Sequence, residues 1–513
     1  MKLQKLFEPI RIGSLTSRNR IKMPGVATAY PDKGLVTDRM VDFYAARARG
    51  GVGLIAINTS PFHRAGLSLR TPCIADDSYL PGLSRLARAV KEHGASVVAQ
   101  VSLAEEWAPG QEEPELVGPS DVVVSRRPGA HKPRPLTVEE IAFTAERFGE
   151  VARRARAAGF DGVEVHAAVG RLISQFMSPH TNQRTDQYGG SLENRMRFFL
   201  DIIDGILGQV GRDYALMVRI SGEDFMPEGH TLEDAKLVAG MLERAGVHSI
   251  DVTTGWHEAP VPSAQMSVPR GYWAYLAAGI KQAVKIPVVG GTRVSDPIMA
   301  ERLLQEGKAD LIYMARPLIA DPELPNKARE GRFEDIRTCI ACCHCLDEIF
   351  SNRPLVCSVN AQAGREAQYA IKPTPKAKTV VIVGSGPAGL EAARVAALRG
   401  HKVTIMEQGE KLGGNLLVAA IPPYKQEIAS LTTYLTGQVK KLGIPVKLRT
   451  PATAAAVLAQ KPQAIVVATG SSPLIPGIPG VGGKNVVTAV DVITGKAKTG
   501  QRVVIVGGGM VGC

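Results

Sequence analysis

The sequence predicts an α/β protein built from an N-terminal (β/α)8 TIM barrel, a cysteine-rich segment and a Rossmann-like α/β domain. Three observations carry this. Eight short apolar runs alternate with helix-length amphipathic segments from residue 20 to residue 316. Five of the seven cysteines lie between residues 339 and 357. A glycine-rich turn follows an apolar run at 380–389.

The eight runs are "RIKMPGV" (20–26), "GLIAINT" (53–59), "SVVAQVS" (96–102), "GVEVHAA" (162–168), "LMVRIS" (216–221), "SIDVTT" (249–254), "IPVVGG" (286–291) and "DLIYMAR" (310–316). Runs so short and apolar read as strands of a parallel sheet buried on both faces. Segments such as "VDFYAARARG", "LSRLARAVKEHG" and "AKLVAGMLERAG" separate them and end at a glycine, where a helix C-cap belongs. Thr137 followed by Glu140 makes a capping box before "IAFTAERFGEVARRARAAG". An open doubly wound sheet would carry a phosphate-binding glycine turn after its first strand, and none is there. The expected organisation is a barrel over 1–335, a cysteine segment over 336–369 and a linker over 370–379. A Rossmann-like domain over 380–499 and the start of a further domain over 500–513 complete it.

An apolar fraction of 45% and a charged fraction of 21% are those of a soluble globular protein. The start, "MKLQKLFEPIRIGS", lacks the apolar core of a signal peptide, and no run of about 18 apolar residues would span a membrane. A cytoplasmic location is expected, where thiols stay reduced and clustered cysteines point to a metal or redox group rather than disulfides. Lysine plus arginine exceed aspartate plus glutamate by 61 − 49 = 12. These charges are dispersed and have no aromatic platform beside them, which argues against nucleic acid and for a small anionic substrate or cofactor.

Cys339, Cys342, Cys345 and Cys357 are spaced C-x2-C-x2-C-x11-C. Four thiolates can close a tetrahedral zinc site or hold a [4Fe–4S] cube. Three of them in one tight loop favour the cube, and Cys343 is left as a spare thiol.

Gly384, Gly386 and Gly389 form G-x-G-x-x-G after an apolar strand and before a helical pattern. The first allows a tight turn, the second lets backbone approach a pyrophosphate, and the third lets helix pack on strand. Glu407 lies 18 residues after Gly389, where an acid accepts from a ribose hydroxyl. A ligand-free glycine turn is the bland alternative, and the strand, helix and acid in their places argue against it. A second fingerprint, Gly507, Gly509 and Gly512, suggests FAD in one domain and NAD(P)H in a domain inserted into it. Here that second domain is one strand and one turn, so the chain is expected to be a fragment of a longer protein.

The stretches "LFEPIRIGSLTSRNRI", "FMSPHTNQRTDQYGGSLENRMRF", "TTGWHEAPVP", "MARPLIADPEL" and "TCIAC…CLDEIF" together resemble the old yellow enzyme superfamily. The resemblance is to its long multi-cofactor branch, which contains bacterial 2,4-dienoyl-CoA reductase and trimethylamine dehydrogenase. It implies an FMN-binding barrel, a [4Fe–4S] segment and a nucleotide-binding module. It places Pro24 and Gly25 along the isoalloxazine edge, Gln100 at the pyrimidine ring and Arg219 near N1 and the C2 carbonyl. Gly291 and Arg293, with Ala315 and Arg316, would hold the phosphate. Barrel logic agrees, because the loops after strands 7 and 8 are the usual phosphate site.

His166 ends the fourth strand and His257 follows the sixth. Imidazoles there can donate to a substrate carbonyl while flavin N5 delivers hydride to the β-carbon. The family commonly reads His-Ala-Ala-His/Asn-Gly-Tyr after this position, whereas this chain has "HAAVGR". Arg171 replaces the tyrosine that usually gives a proton to the α-carbon. It stays charged, is a poor acid, and suits a carboxylate, phosphate or thioester oxygen. Proton delivery is then expected from His257, with Tyr30 and water as alternatives. Glu105, Glu106 and Trp107 read as a solvated loop, or as a cation site at the pocket mouth.

The expected function is NAD(P)H-dependent reduction of an activated C=C bond, with an enoyl- or dienoyl-CoA thioester as substrate. Electrons would run from NAD(P)H to FAD, through the cluster, to FMN. Two alternatives are an oxidative N-demethylase or amine dehydrogenase, and an electron-transfer subunit whose barrel is not catalytic. Homo-oligomerisation is left open.

Overall fold

Eight parallel strands close into a barrel in the computed structural model, which describes residues 3–62, 70–103, 106–107, 115–124, 130–509 and 511–512. They are β1 (Ile21–Met23), β2 (Leu54–Thr59), β3 (Ser96–Ser102), β4 (Gly162–Ala167), β5 (Ala215–Ser221), β6 (Ser249–Thr253), β7 (Val288–Gly290) and β8 (Leu311–Tyr313). β8 pairs with β1, which completes the ring. The period of two along each strand sends alternate residues inward. Leu54, Ala56, Val98, Ala215, Met217, Val289 and Leu311 form an apolar floor. The hairpin Ile10–Ile12/Leu15–Ser17 packs Ile12 and Leu15 onto that floor, at the end where Leu54 and Ala215 begin their strands.

The outer helices are α1 (Asp38–Arg49), α2 (Leu80–Lys91), α3 (Val138–Ala157), α4 (Leu192–Val210), α5 (Leu232–Ala245), α6 (Ala274–Ala283), α7 (Pro297–Gln305) and α8 (Ala315–Ala320). The capping box of α3 forms: Thr137 Oγ1 accepts from the Glu140 amide at 3.2 Å, and Glu140 Oε2 accepts from the Thr137 amide at 2.8 Å. Phe148 of α3 and Phe198 and Phe199 of α4 are fully buried. Burial of each such ring contributes roughly 2–3 kcal/mol.

The cysteine segment belongs to the same compact unit as the barrel, which extends to Tyr369. It is tied down by the Leu355 amide on Thr28 O (2.9 Å), Arg39 Nε on Gly364 O (2.7 Å) and Asn360 Nδ2 on Ile319 O (2.9 Å). Its one helix is α9 (His344–Phe350).

The second unit, Ala370–Cys513, holds a four-stranded parallel sheet. Its strands are β9 (Thr379–Val383), β10 (Lys402–Met406), β11 (Val446–Lys447) and β12 (Ala464–Val467), arranged β11-β10-β9-β12. Helices α10 (Pro387–Leu398) and α11 (Glu427–Lys441) accompany it, and Val381, Leu390, Ala393 and Ile405 are fully buried. The strand expected within "RVVIV" is not formed, and Val503 to Val506 are exposed. A strand needs a ladder partner, and this run pairs with no sheet edge among the described residues. Among the described residues no helix is long and apolar enough to cross a membrane.

Candidate active site

The barrel interior becomes charged toward the C-terminal ends of its strands. Lys22 of β1, Glu164 of β4 and Asp251 of β6 are fully buried, and the Lys22 ammonium lies between the two carboxylates. Burial opposes the Lys22 charge, but Asp251 and Glu164 outweigh it and hold its pKa above the ordinary lysine value. Gln100 Nε2 donates to Glu164 Oε1 at 2.6 Å. The Gln100 Oε1 is buried with no hydrogen-bond partner and faces Gly25, where a Cβ would lie 2.1 Å from it. Pro24 is buried beside it. Arg219 Nη1 donates to Asp251 Oδ2 at 3.4 Å, and its guanidinium lies 4.7 Å from the Tyr313 ring centre. Burial works against this charge, and Asp251, Tyr313 and Glu164 raise its pKa regardless.

Above this layer, β4 places His166 in register with Ser102 and Arg219. Its Nδ1 is buried and unpartnered. Burial, then the charges of Arg219 and Arg171 and the neighbouring His257, keep His166 well below the usual histidine pKa, so it is neutral. The chain then turns through Val169 (φ 56°) and Gly170 (φ 84°), with the Val169 amide donating to Ser221 Oγ at 3.1 Å. A β-branched residue in the left-handed region is strained by about 1–2 kcal/mol. The turn carries Arg171 to the two histidines. His257, in the loop after β6, is exposed at the cleft mouth while protein surrounds the ring on its other sides. Burial and then Arg171 push its imidazole down to about 4. Its ring meets Phe350 of α9 edge-on at 5.4 Å. His166, Arg171, Arg219 and His257 therefore share one cleft, where two neutral imidazoles lie beside two guanidinium groups.

At the other side of the rim, a Cβ on Gly291 would lie 2.2 Å from Tyr313 O, so only glycine fits there. Arg293 is buried, and its Nε and Nη2 donate to Val268 O at 3.0 and 2.8 Å. Ala315 opens α8, and Arg316 Nη1 donates to Ala264 O at 2.7 Å. Both arginines are thus tied to the loop after β6.

Tyr30 is not brought to this chemistry, which corrects its place as an alternative proton donor to His257. Its hydroxyl donates to Leu355 O at 2.8 Å, Arg39 covers its ring at 4.1 Å, and burial pushes its pKa above the usual tyrosine value. It joins the loop after β1 to the cysteine segment. Glu105 lies outside the described residues. Only the backbone of Glu106 and Trp107 is described, as a short strand paired with Glu115–Leu116.

Cys339, Cys342, Cys345 and Cys357 come into one neighbourhood. Burial, then Cys339, pushes Cys345 up to about 12 and Cys357 up to about 11. Cys343 has a left-handed backbone (φ 59°), and its Sγ faces Ala264 O at 3.7 Å and Arg316 Nη1 at 3.8 Å.

In the second unit, Gly384 has φ 98°, and a Cβ there would lie 2.4 Å from Ala468 O. A Cβ on Gly389 would meet Gly384 O at 2.0 Å, whereas Gly386 faces open space. Glu407 Oε2 accepts from the Ser385 amide (2.8 Å) and Oγ (2.6 Å), and Oε1 accepts from the Gly409 amide (2.6 Å). Burial raises its pKa, and these donors outweigh burial and lower it.

Lys22, Glu164, Asp251 and Phe350 were absent from the sequence-predicted site. The first three had a signal: one charge flanked by apolar residues in each of "IKM", "VEV" and "IDV".

Residues 5–335 match the NADH:flavin oxidoreductase / NADH oxidase family, and residues 378–513 match the pyridine nucleotide-disulphide oxidoreductase family. A metal reductase of Desulforamulus reducens is 47% identical, over 99% of this chain and 76% of its own. A cinnamate reductase of Clostridium sporogenes is 33% identical, over 99% of this chain and 80% of its own. The solved structure of a 2-naphthoyl-CoA reductase in complex with 2-naphthoyl-CoA superposes with a TM-score of 0.94 at 37% identity, covering 99% of this chain and 80% of that one. The barrel, its charged rim and the fingerprint after it are those of an enzyme, and the chain belongs to the NADH:flavin oxidoreductase / NADH oxidase family, in the long branch of the old yellow enzyme superfamily.

Proposed function

We propose that the chain is an NAD(P)H-dependent reductase of activated C=C bonds whose substrate carries a carboxylate or an acyl thioester, with an enoyl- or dienoyl-CoA as the leading class. The observation that carries this reading is the cleft of His166, Arg171, Arg219 and His257, where neutral N–H donors stand beside two fixed cations.

The residues present fit FMN. The buried, unpartnered Oε1 of Gln100 suits the N3–H of a flavin, and Arg219 suits its electron-rich N1 and C2 carbonyl edge. Gly25 lets the loop after β1 lie against Gln100 Oε1, Gly291 lets the loop after β7 lie against Tyr313 O, and Arg316 stands just after β8, where a barrel holds phosphate. The cysteines suit a [4Fe–4S] group better than zinc, because Cys339, Cys342 and Cys345 lie in one tight loop with Cys357 beside them. The turn at Gly384–Gly389, open at Gly386, fits the pyrophosphate of FAD. When bound, FMN supplies hydride to the β-carbon of the acceptor, and the [4Fe–4S] group and FAD supply it with electrons from NAD(P)H.

The chain's own residues bind and polarise. His166 and His257 donate to the substrate carbonyl oxygen, and Arg171 pairs with a carboxylate or phosphate oxygen of the substrate. In the open cleft His257 is not a ready acid, because burial and Arg171 hold its pKa at about 4. An anion bound at Arg171 offsets the second of these influences. His257 then gains proton affinity when substrate is present and can hold the proton destined for the α-carbon. A cationic N-methylamine is disfavoured beside two guanidinium groups.

The test is anaerobic stopped-flow on the full chain loaded with its cofactors. Reoxidation of the reduced flavin by an enoyl thioester or a 2-enoate, with N-methylamines leaving oxidised flavin unchanged, is the expected result. Bleaching by amines alone would overturn the reading.

A further inference from the structure

Three ionised side chains lie beneath the catalytic face with no part in the chemistry above. Lys22, Glu164 and Asp251 are fully buried, and charge inside a closed barrel persists only when every partner is in place. Their contacts run upward to the rim. Glu164 Oε1 accepts from Gln100 Nε2 at 2.6 Å. Asp251 Oδ2 takes Lys22 Nζ at 2.9 Å and Arg219 Nη1 at 3.4 Å.

A side-chain amide can present either its oxygen or its nitrogen, but a carboxylate only accepts. Glu164 therefore requires Gln100 to turn its NH2 downward, which leaves Oε1 as the atom without a partner. The charges also balance: Lys22 and Arg219 are positive, Glu164 and Asp251 negative.

We infer that the Lys22–Glu164–Asp251 network is a positioning device for the pyrimidine end of the flavin. It dictates which atom Gln100 offers, holds the Arg219 guanidinium, and sets the charge against which oxidised and reduced flavin are discriminated. This rests on the FMN reading of the barrel.

The test uses the full chain stripped of flavin and measures dissociation constants for oxidised and for dithionite-reduced FMN by protein fluorescence. E164Q leaves one net positive charge inside. The ratio of the oxidised to the reduced constant rises at least tenfold, equivalent to about 30 mV for a two-electron couple. K22M leaves one net negative charge, and the ratio falls at least tenfold. Opposite shifts are a result that loosened packing does not produce.

The double variant K22M/E164L replaces the pair with apolar groups of similar size, a change that buried pairs commonly tolerate. Its interior is neutral again, so the ratio returns to within threefold of the starting protein. The constant for oxidised FMN rises at least fivefold, because Gln100 is no longer oriented. Single variants that shift the ratio in one common direction, or leave it within twofold, overturn the inference. So does a folded double variant that binds oxidised FMN as tightly as the starting protein, and this variant decides the matter if a single one fails to fold. An unaltered protein with no affinity for FMN overturns the FMN reading and the inference together.

Discussion

The barrel cleft and the glycine fingerprint of the second unit are built in opposite ways. The cleft joins Lys22 to Glu164 and Asp251 across 142 and 229 residues of chain. The fingerprint lies within Gly384–Gly389. Its geometry even recurs without a sheet: a Cβ on Gly512 would meet Gly507 O at 1.9 Å, much as one on Gly389 would meet Gly384 O at 2.0 Å. The residues before Gly507 nevertheless form no strand. A phosphate-type turn is thus a local property of the chain, whereas the strand beneath it and the whole of the barrel cleft exist only through partners elsewhere.

The largest expected effect tests the long-range side. Cys345→Ala removes one of four neighbouring thiols; on the proposed [4Fe–4S] assignment the variant should contain no iron or sulfide while keeping the circular dichroism of the barrel. Elemental analysis checks this, and zinc without iron in the unaltered protein would sink the cluster assignment. Gly384→Ala tests the local side. Left-handed strain and a 2.4 Å contact with Ala468 O together cost roughly 2–5 kcal/mol. Calorimetry should show the loss in the transition of the second unit alone. Gly386→Ala, facing open space, should leave that transition in place and weaken FAD binding.

Arg171→Ala returns to the cleft. Loss of a charge-assisted hydrogen bond of about 1.5–3 kcal/mol should raise KM for an anionic substrate roughly 10- to 100-fold. It should also move the alkaline limb of the kcat/KM profile, where His257 gives up the proton it must carry, upward from about 4 toward the ordinary histidine value of 6.5. The sign for stability follows from the same shift. Folding lowers the His257 pKa, so the unfolded chain takes up the proton first as pH falls. The contribution is full above 6.5 and declines between there and about 4. Phe350→Ala gives the smallest effect. Losing an edge-to-face contact of about 0.5–1.5 kcal/mol should lower kcat/KM by roughly two- to tenfold. An unchanged kcat/KM would mean that α9 does not position the His257 imidazole for the proposed reaction.

Alternation of apolar runs with amphipathic segments, the spacing of four cysteines and the glycine turn were legible in the sequence, because each is periodic or spans a few residues. Val169 and Arg171 were also legible as departures from a pattern. The strain at Val169, and the depression of His257 by Arg171, were not. Tyr30 shows the limit most plainly. A tyrosine six residues past Pro24 looked available to the cleft, yet the packing of the cysteine segment takes its hydroxyl at Leu355.

The sequence by itself determined the strands and helices of the barrel, where the fingerprint lies and where the cysteines gather, since hydrophobic period and turn chemistry operate over neighbouring residues. Tertiary structure alone decided which charges meet inside the barrel, which atom Gln100 leaves free and which of the candidate acids reaches the cleft. Electrostatics acts through space, and only closure of the eight strands brings those groups within hydrogen-bond distance in a medium that cannot screen them.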